Sequence, residues 1–102
     1  MKQRFLVVYE HGMRNYGGFA PDIPGCCSTG KTLTKIRSLM REALETHLEW
    51  MASDGDPMPL PVTTSFDFST IDDPDGEVDH YVVEWMEIGV PVAEHTIEAT
   101  TA

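Results

Sequence analysis

The sequence predicts an α+β fold: a small antiparallel-to-mixed sheet of three N-terminal strands, one long helix packed on one face, and then one or two further strands. The chain has 102 residues, the size of one small domain. One stretch has apolar residues at helical spacing, and several short apolar runs lie between turn residues. We expect residues 1–88 to form a single domain and residues 89–102 to be a flexible tail, with no separate DNA-binding domain.

The first strand is predicted at residues 4–10, RFLVVYE, where apolar side chains occupy both faces. Alternation along the strand divides them into two sets: Phe5, Val7 and Tyr9 on one face, and Leu6 and Val8 on the other. A strand that is apolar on both faces is typical of the interior of a sheet. Two more short strands are predicted at residues 17–21 and 26–30, each after a turn rich in Gly, Asn or Pro.

The long helix is predicted to begin after Thr32, because a threonine hydroxyl suits the N-cap position. Gly55 ends the helix, and the three prolines that follow prevent its resumption. Apolar residues recur every three or four positions and form an amphipathic stripe: Ile36, Leu39, Met40, Ala43, Leu44, Leu48 and Met51.

Two later segments have strand character. Residues 63–71, TTSFDFSTI, alternate phenylalanine with polar residues and predict a half-buried strand. Residues 78–88 predict the longest late strand, with two apolar sets: Val82, Met86 and Ile88 on one face, and Tyr81, Val83 and Trp85 on the other. Because one helix covers only one face of the sheet, we expect a homo-oligomer, a dimer or higher, or a partner protein to cover the second face.

Charge is distributed unevenly along the chain. The net charge is −10, and all 7 basic residues lie within residues 1–50. Residues 51–102 contain twelve acidic residues and no Lys or Arg. Such a segment repels phosphate, which argues against direct nucleic-acid binding, and it attracts basic surfaces. The alternative, that these acids only keep the protein in solution, remains open.

The stretch GCCSTGKT, residues 25–32, matches the phosphate-loop pattern of nucleotide-binding proteins. A genuine phosphate loop follows a buried parallel strand, whereas residues 21–24 are Pro-Asp-Ile-Pro, which cannot form one. We therefore interpret the match as accidental and expect no nucleotide cofactor. The adjacent Cys26 and Cys27 are predicted to point to opposite faces of a strand, one buried and one less buried, without a disulfide.

No catalytic or metal-binding pattern is recognised. The four histidines lack helical metal spacing and any zinc-protease pattern: His11, His47, His80 and His95. The acidic run at residues 72–77 resembles a calcium loop, but Ile71 and Val82 would occupy two key ligand positions. We expect no catalytic residue, no metal and no cofactor. Because no run is long enough to span a membrane and only two cysteines occur, we expect a reducing, cytoplasmic location.

One set of residues resembles a known family, the HicB antitoxins. The match covers roughly residues 4–61, including the helix that ends at Asp54-Gly55, and rests on these positions: Asn15, Tyr16, Gly17, Pro21, Asp22, Ile23, Pro24, Gly25, Cys26, Ser28, Gly30 and Thr32. The resemblance implies a partial ribonuclease-H-like fold without that enzyme's catalytic carboxylates. It also implies that the chain neutralises a small HicA-type toxin that cleaves messenger RNA.

The functional hypothesis is therefore a non-enzymatic antitoxin of a type II toxin–antitoxin pair that binds and occludes a basic HicA-type toxin. The densest acidic cluster is the candidate partner-binding site: Asp72, Asp73, Asp75, Glu77 and Asp79. One alternative is an orphan oligomeric binding or structural protein that has no toxin. A weaker alternative is a metal-dependent hydrolase that uses Asp22 and the acidic turn.

Overall fold

The computed structural model describes residues 1–70 and 76–91, and within them the fold is α+β. The described elements are the strands β1 (Lys2–His11), β2 (Tyr16–Phe19), β3 (Cys27–Gly30) and β4 (His80–Gly89), the helix α1 (Leu33–Ser53), and a short 3₁₀ turn at Phe68–Thr70. The strands form one sheet in the order β3-β2-β1-β4. Every pairing in it is antiparallel, which confirms the predicted α+β class and resolves the sheet type.

Strand β1 lies in the interior of the sheet and pairs on both sides, as predicted. With β4 it forms a ten-pair ladder that runs from Lys2↔Gly89 to His11↔His80. With β2 it forms four pairs that end at His11↔Tyr16. This register fixes which side chains of β1 and β4 share a face, because neighbouring residues along a strand point to opposite sides of the sheet.

Helix α1 begins and ends where the sequence predicts. The Oγ1 of Thr32 accepts a hydrogen bond from the Lys35 backbone N–H at 3.1 Å, so Thr32 is the N-cap. Gly55 follows the helix with φ of 76°, a left-handed conformation that favours glycine. Four residues of the predicted stripe are buried against the sheet: Ile36, Met40, Leu44 and Leu48.

The main core lies between α1 and one face of the sheet. From the strands it contains the first predicted set of β1, Phe5, Val7 and Tyr9, which are fully buried, together with Met86 and Ile88 of β4. Burying one such side chain stabilises the fold by about 1.5–3 kcal/mol relative to exposing it. The predicted division of β1 and β4 into two faces is therefore confirmed. Below, the face packed on α1 is called the inner face and the opposite face the outer face.

The predicted strand at residues 63–71 is wrong. The described part of this segment contains a 3₁₀ turn at Phe68–Thr70 and no strand. The Asp67 carboxylate accepts hydrogen bonds from the backbone N–H of Ser69 at 2.9 Å and from its hydroxyl at 2.6 Å, which bends the chain. The alternating phenylalanines pack on the sheet instead of pairing within it, and packing on a face produces the same apolar spacing as a strand.

A row of aromatic rings crosses the outer face from β2 to β4. The ring of Phe66 lies 5.5 Å from that of Phe19 and 5.2 Å from that of Phe68, which in turn lies 5.2 Å from Tyr81. Phe19 belongs to β2 and Tyr81 to β4, so the row passes over β1, whose Val8 is fully buried. The chain itself therefore covers part of the face that we expected another molecule to cover.

The C-terminal prediction is only partly within the described residues. Strand β4 extends to Gly89, and the next residue, Val90, is buried and donates its N–H to the Met1 carbonyl at 2.7 Å. Residues 92–102 of the predicted tail lie outside the described residues, so the domain boundary at residue 88 stays a prediction. Within the described residues, no helix is long and apolar enough to cross a membrane.

Replacing Gly30 by alanine should destabilise the fold, because a Cβ there would lie 3.0 Å from the backbone N of Ile36. The helix would have to shift away from β3, and crowding of this kind typically costs about 1–3 kcal/mol. Gly17→Ala is the matched control, since its nearest contact is a glutamate side-chain oxygen at 3.8 Å. Urea unfolding measures both variants. Equal stability of the two would contradict the close approach of α1 to β3.

Candidate protein-interaction surface

The stretch that matches the phosphate-loop pattern forms an edge strand. Residues Cys27–Gly30 are β3, which pairs antiparallel with β2, and Gly25 lies in the preceding turn with φ of 84°. A phosphate loop requires a parallel strand that leads directly into a helix, so this geometry agrees with an accidental match. Cys26 is buried and Cys27 exposed, both as free thiols, and burial raises the pKa of the Cys26 thiol.

Asp22 has a structural role in the loop after β2. One of its carboxylate oxygens accepts the Thr63 backbone N–H at 2.8 Å, and the other accepts the Thr63 hydroxyl at 2.6 Å. This clamp fixes the segment that carries Phe66 and Phe68 onto the outer face. Both oxygens are thus occupied by one residue, which leaves the hydrolase alternative without support from Asp22.

The predicted acidic cluster is only partly described. Asp72, Asp73 and Asp75 lie outside the described residues, while Glu77 and Asp79 are exposed just before β4. Asp79 makes close side-chain contacts: its Oδ1 lies 2.7 Å from His11 Nδ1 and 2.6 Å from His80 Nδ1. The hydrogen bond with His11 is the main cause that lowers the pKa of the Asp79 carboxyl. Asp79 therefore contacts two histidines in addition to belonging to the predicted acidic cluster.

The exposed apolar residues of the outer face form the candidate interaction surface. Val83 and Trp85, which pair with Val8 and Leu6, remain 37% and 42% exposed, although their β1 partners are buried. Phe68, which contacts Tyr81 in the aromatic row, is 48% exposed. We call Phe68, Val83 and Trp85 the outer patch. Val83 and Trp85 lie on an edge strand, since no described strand pairs with the other side of β4.

Charged residues flank the outer patch at both ends of β4. At one end, the Arg4 guanidinium lies 5.6 Å from the ring centre of Trp85, and Lys2 lies 3.8 Å from the Glu87 carboxylate. Exposed Glu77 and Asp79 precede the opposite end of β4, and the Asp79 carboxylate contacts His11 and His80 there. An apolar centre with charges at its rim is the usual anatomy of a protein–protein interface. Sequence periodicity placed Val83 and Trp85 on one face of the strand. Their exposure could not be predicted, because, within the described residues, the aromatic row reaches β4 only at Tyr81.

Solved structures with the same fold come from toxin–antitoxin proteins. The chain superimposes on the N-terminal domain of the Burkholderia pseudomallei antitoxin HicB with a TM-score of 0.56 and 26% identity, covering 88% of this chain and 100% of that one. A chain of the HicA3 and HicB3 toxin–antitoxin complex gives a TM-score of 0.54 at 23% identity with the same coverage. The fold is thus that of a HicB antitoxin domain.

The family model of the HicB-like antitoxins of bacterial toxin–antitoxin systems matches residues 5–98, and the chain belongs to this family. A 14.9 kDa protein from the rep-hol intergenic region of Haemophilus phage HP1 is 41% identical over 55 residues, which are 54% of this chain and 41% of that protein. A UPF0150 protein of Thermotoga maritima is 34% identical over 44 residues, 43% of this chain and 59% of that protein. The chain thus spans about half the length of the curated relatives it matches.

Lys31→Ala should leave the free energy of unfolding within about 0.5 kcal/mol of wild type, because Lys31 is exposed and no phosphate loop surrounds it. Titration calorimetry with magnesium-ATP should give no saturable heat for either protein. Lys35→Ala on the first turn of α1 is the charge-matched control. Nucleotide binding that is lost in Lys31→Ala and kept in Lys35→Ala would show that the motif is functional.

Proposed function

We propose that this chain is the antitoxin of a type II toxin–antitoxin pair and that it binds and occludes a basic, messenger-RNA-cleaving toxin of the HicA type. The family match over residues 5–98 carries the proposal. The likeness to a chain of a HicA3 and HicB3 complex supports a toxin of the same type as the partner. In this role the chain performs no chemistry of its own and acts by covering the toxin's surface.

The outer patch supports this proposal because its exposed side chains have the chemistry of a binding centre. Tryptophan is enriched among the residues that dominate binding energy, and Trp85 shares the outer face with Val83 and Phe68, all three exposed. The outward edge of β4 also offers backbone groups to a strand of another molecule, a common mode of protein recognition. The toxin would thereby complete a face that the antitoxin's own chain covers only in part.

The charge distribution supports a basic partner. A ribonuclease presents a cationic surface to RNA, and the excess of acid over Lys and Arg in residues 51–102 complements such a surface. Rim charges mainly steer the encounter, whereas the apolar centre supplies most of the affinity. Two free cysteines and a messenger-RNA-cleaving partner both favour the reducing cytoplasm as the site of action.

The second candidate function is that of an orphan oligomer without a toxin. The observation that favours it is again the outer patch on an edge strand, which two copies of the chain can bury against each other about a twofold axis. An oligomer of this kind and a toxin complex would compete for the same face. Sedimentation of the chain alone, and then with a small basic protein encoded by a neighbouring gene, which a toxin–antitoxin pair requires, separates the two.

Trp85→Ala should weaken toxin binding by roughly 30-fold or more, the effect of removing an interface hot spot. Trp50→Ala is the matched control, because Trp50 is 67% exposed on α1, away from the outer patch. We expect Trp50→Ala to bind within about threefold of wild type. Co-purification with the toxin, followed by calorimetry and an RNA-cleavage assay, measures both variants.

Several results would decide against this surface. If Trp50→Ala impairs binding while Trp85→Ala does not, the toxin binds the helix instead of the outer face. If neither variant changes toxin binding but Trp85→Ala alone abolishes self-association, the outer patch serves the oligomer. Far-ultraviolet circular dichroism and the unfolding midpoint of each variant show whether a loss of binding reflects loss of fold.

Neutralising the acids before β4 should slow toxin association and flatten its dependence on salt. The variant replaces Asp72, Asp73, Asp75 and Glu77 together by Asn or Gln and keeps Asp79. We expect an association rate roughly tenfold lower at low salt, with little change in the dissociation rate. The control removes the same charge from exposed positions on α1 and just after it: Glu42, Glu49, Asp54 and Asp56.

Stopped-flow binding at two salt concentrations compares the two quadruple variants. Equal slowing in both would show that only net charge matters, and a wild-type rate in the first variant would reduce the predicted cluster to a solubilising segment.

A further inference from the structure

Two histidines and an aspartate meet where β1 ends and β4 begins. The Nδ1 atoms of His11 and His80 lie 2.7 Å and 2.6 Å from the same oxygen, Oδ1 of Asp79. One ligand atom from each of the three side chains lies within 4.8 Å of the other two. Nitrogen and oxygen donors from three residues therefore converge on one point of the surface.

The sheet register creates this convergence. His11 and His80 are direct partners at the end of the β1–β4 ladder, and their rings stack with centres 4.6 Å apart at an angle of 25°. The backbone N–H of Asp79 donates to the His11 carbonyl at 2.9 Å, which extends the pairing by one residue. The ring of Tyr16 on β2 lies 4.6 Å from that of His11 and supports it from the other side. His11 and His80 are thus held at paired strand ends, and Asp79 is held just before β4 by its backbone hydrogen bond.

We propose that His11, Asp79 and His80 bind a Zn²⁺ ion. Two imidazoles and one carboxylate form a donor set that suits zinc and related transition metals, whereas Mg²⁺ and Ca²⁺ prefer oxygen ligands. Zinc binds nitrogen and oxygen at about 2.0–2.2 Å, which places tetrahedral donors about 3.3–3.6 Å apart. Each imidazole nitrogen has to move about 0.6–1.0 Å away from Asp79 Oδ1 to reach this spacing. The two imidazole nitrogens, which lie within 4.8 Å of each other, have to approach by about 1.5 Å at most.

Two of the side chains have the freedom for this adjustment. Asp79 and His80 are 61% and 51% exposed, so they can rotate towards the ion, whereas His11 is 33% exposed and is held between the rings of Tyr16 and His80. The ion replaces the hydrogen bonds that Asp79 now makes, and it would couple the segment before β4 to the end of β1. Three protein ligands leave a fourth position for water or for a donor of another molecule.

Calorimetric titration of the full chain with Zn²⁺, after removal of metal by a chelator, tests the site. We expect one ion per chain, and Co²⁺ in its place should give the visible absorption of a four-coordinate centre. His80→Gln should weaken Zn²⁺ binding at least about tenfold, because it removes one of three ligands. His47→Gln is the matched control, since His47 is half-buried on α1 outside the cluster.

Asp79→Asn provides a second variant that keeps the size of the side chain, and it should weaken binding in the same way as His80→Gln. Unfolding midpoints measured without metal establish that each variant folds. Saturation by Mg²⁺ at the same concentration should not occur. The proposal is overturned if the wild-type chain binds no Zn²⁺, or if His80→Gln and Asp79→Asn both bind it within threefold of wild type; the three residues would then form only a hydrogen-bonded tie between strand ends.

Discussion

The antiparallel ladder between β1 and β4 is the constraint on which the rest of the structure depends. It pairs the first strand of the chain with the last described strand over ten residue pairs. Its register places Phe5, Val7 and Tyr9 beside Met86 and Ile88 under the helix, and Val83 and Trp85 on the outer face. A slip of one residue would exchange the two faces along the whole ladder, so the apolar pattern on both strands holds the register.

The two faces of the sheet are stabilised by different means. On the inner face, α1 buries a continuous apolar stripe, and polar contacts at its margin orient the helix: Arg37 makes two hydrogen bonds of 2.8 Å to Glu84, and the Glu45 carboxylate accepts the Gly89 N–H at 3.1 Å. On the outer face, an irregular segment held by Asp22 lays aromatic rings across β1. Because that segment covers only part of the face, Val83 and Trp85 remain exposed on it.

Basic and acidic residues are separated along the chain, and some of them pair across the helix and β4. The basic residues belong to the half that contains β1 and α1, where Arg37 and Arg41 bond to groups of β4. Residues 51–102 supply the acceptors on Glu84 and Glu87. They also contain twelve acidic residues and no Lys or Arg. Residues 51–102 therefore carry an acidic excess, which favours association with cationic surfaces.

The sequence by itself determined the helix with its cap and end, the two faces of β1 and β4, and the family resemblance, because periodicity and turn chemistry act over a few residues. It also identified the acidic cluster, although Asp72, Asp73 and Asp75 lie outside the described residues and their role stays a prediction. Only the tertiary structure decided that residues 63–70 pack on the sheet instead of joining it, since both arrangements show the same alternation of Phe66 and Phe68. Likewise, the contact of His11 with Asp79 joins residues 68 positions apart in the sequence. It could not be predicted from local spacing, because only the register of β1 with β4 brings the two residues together.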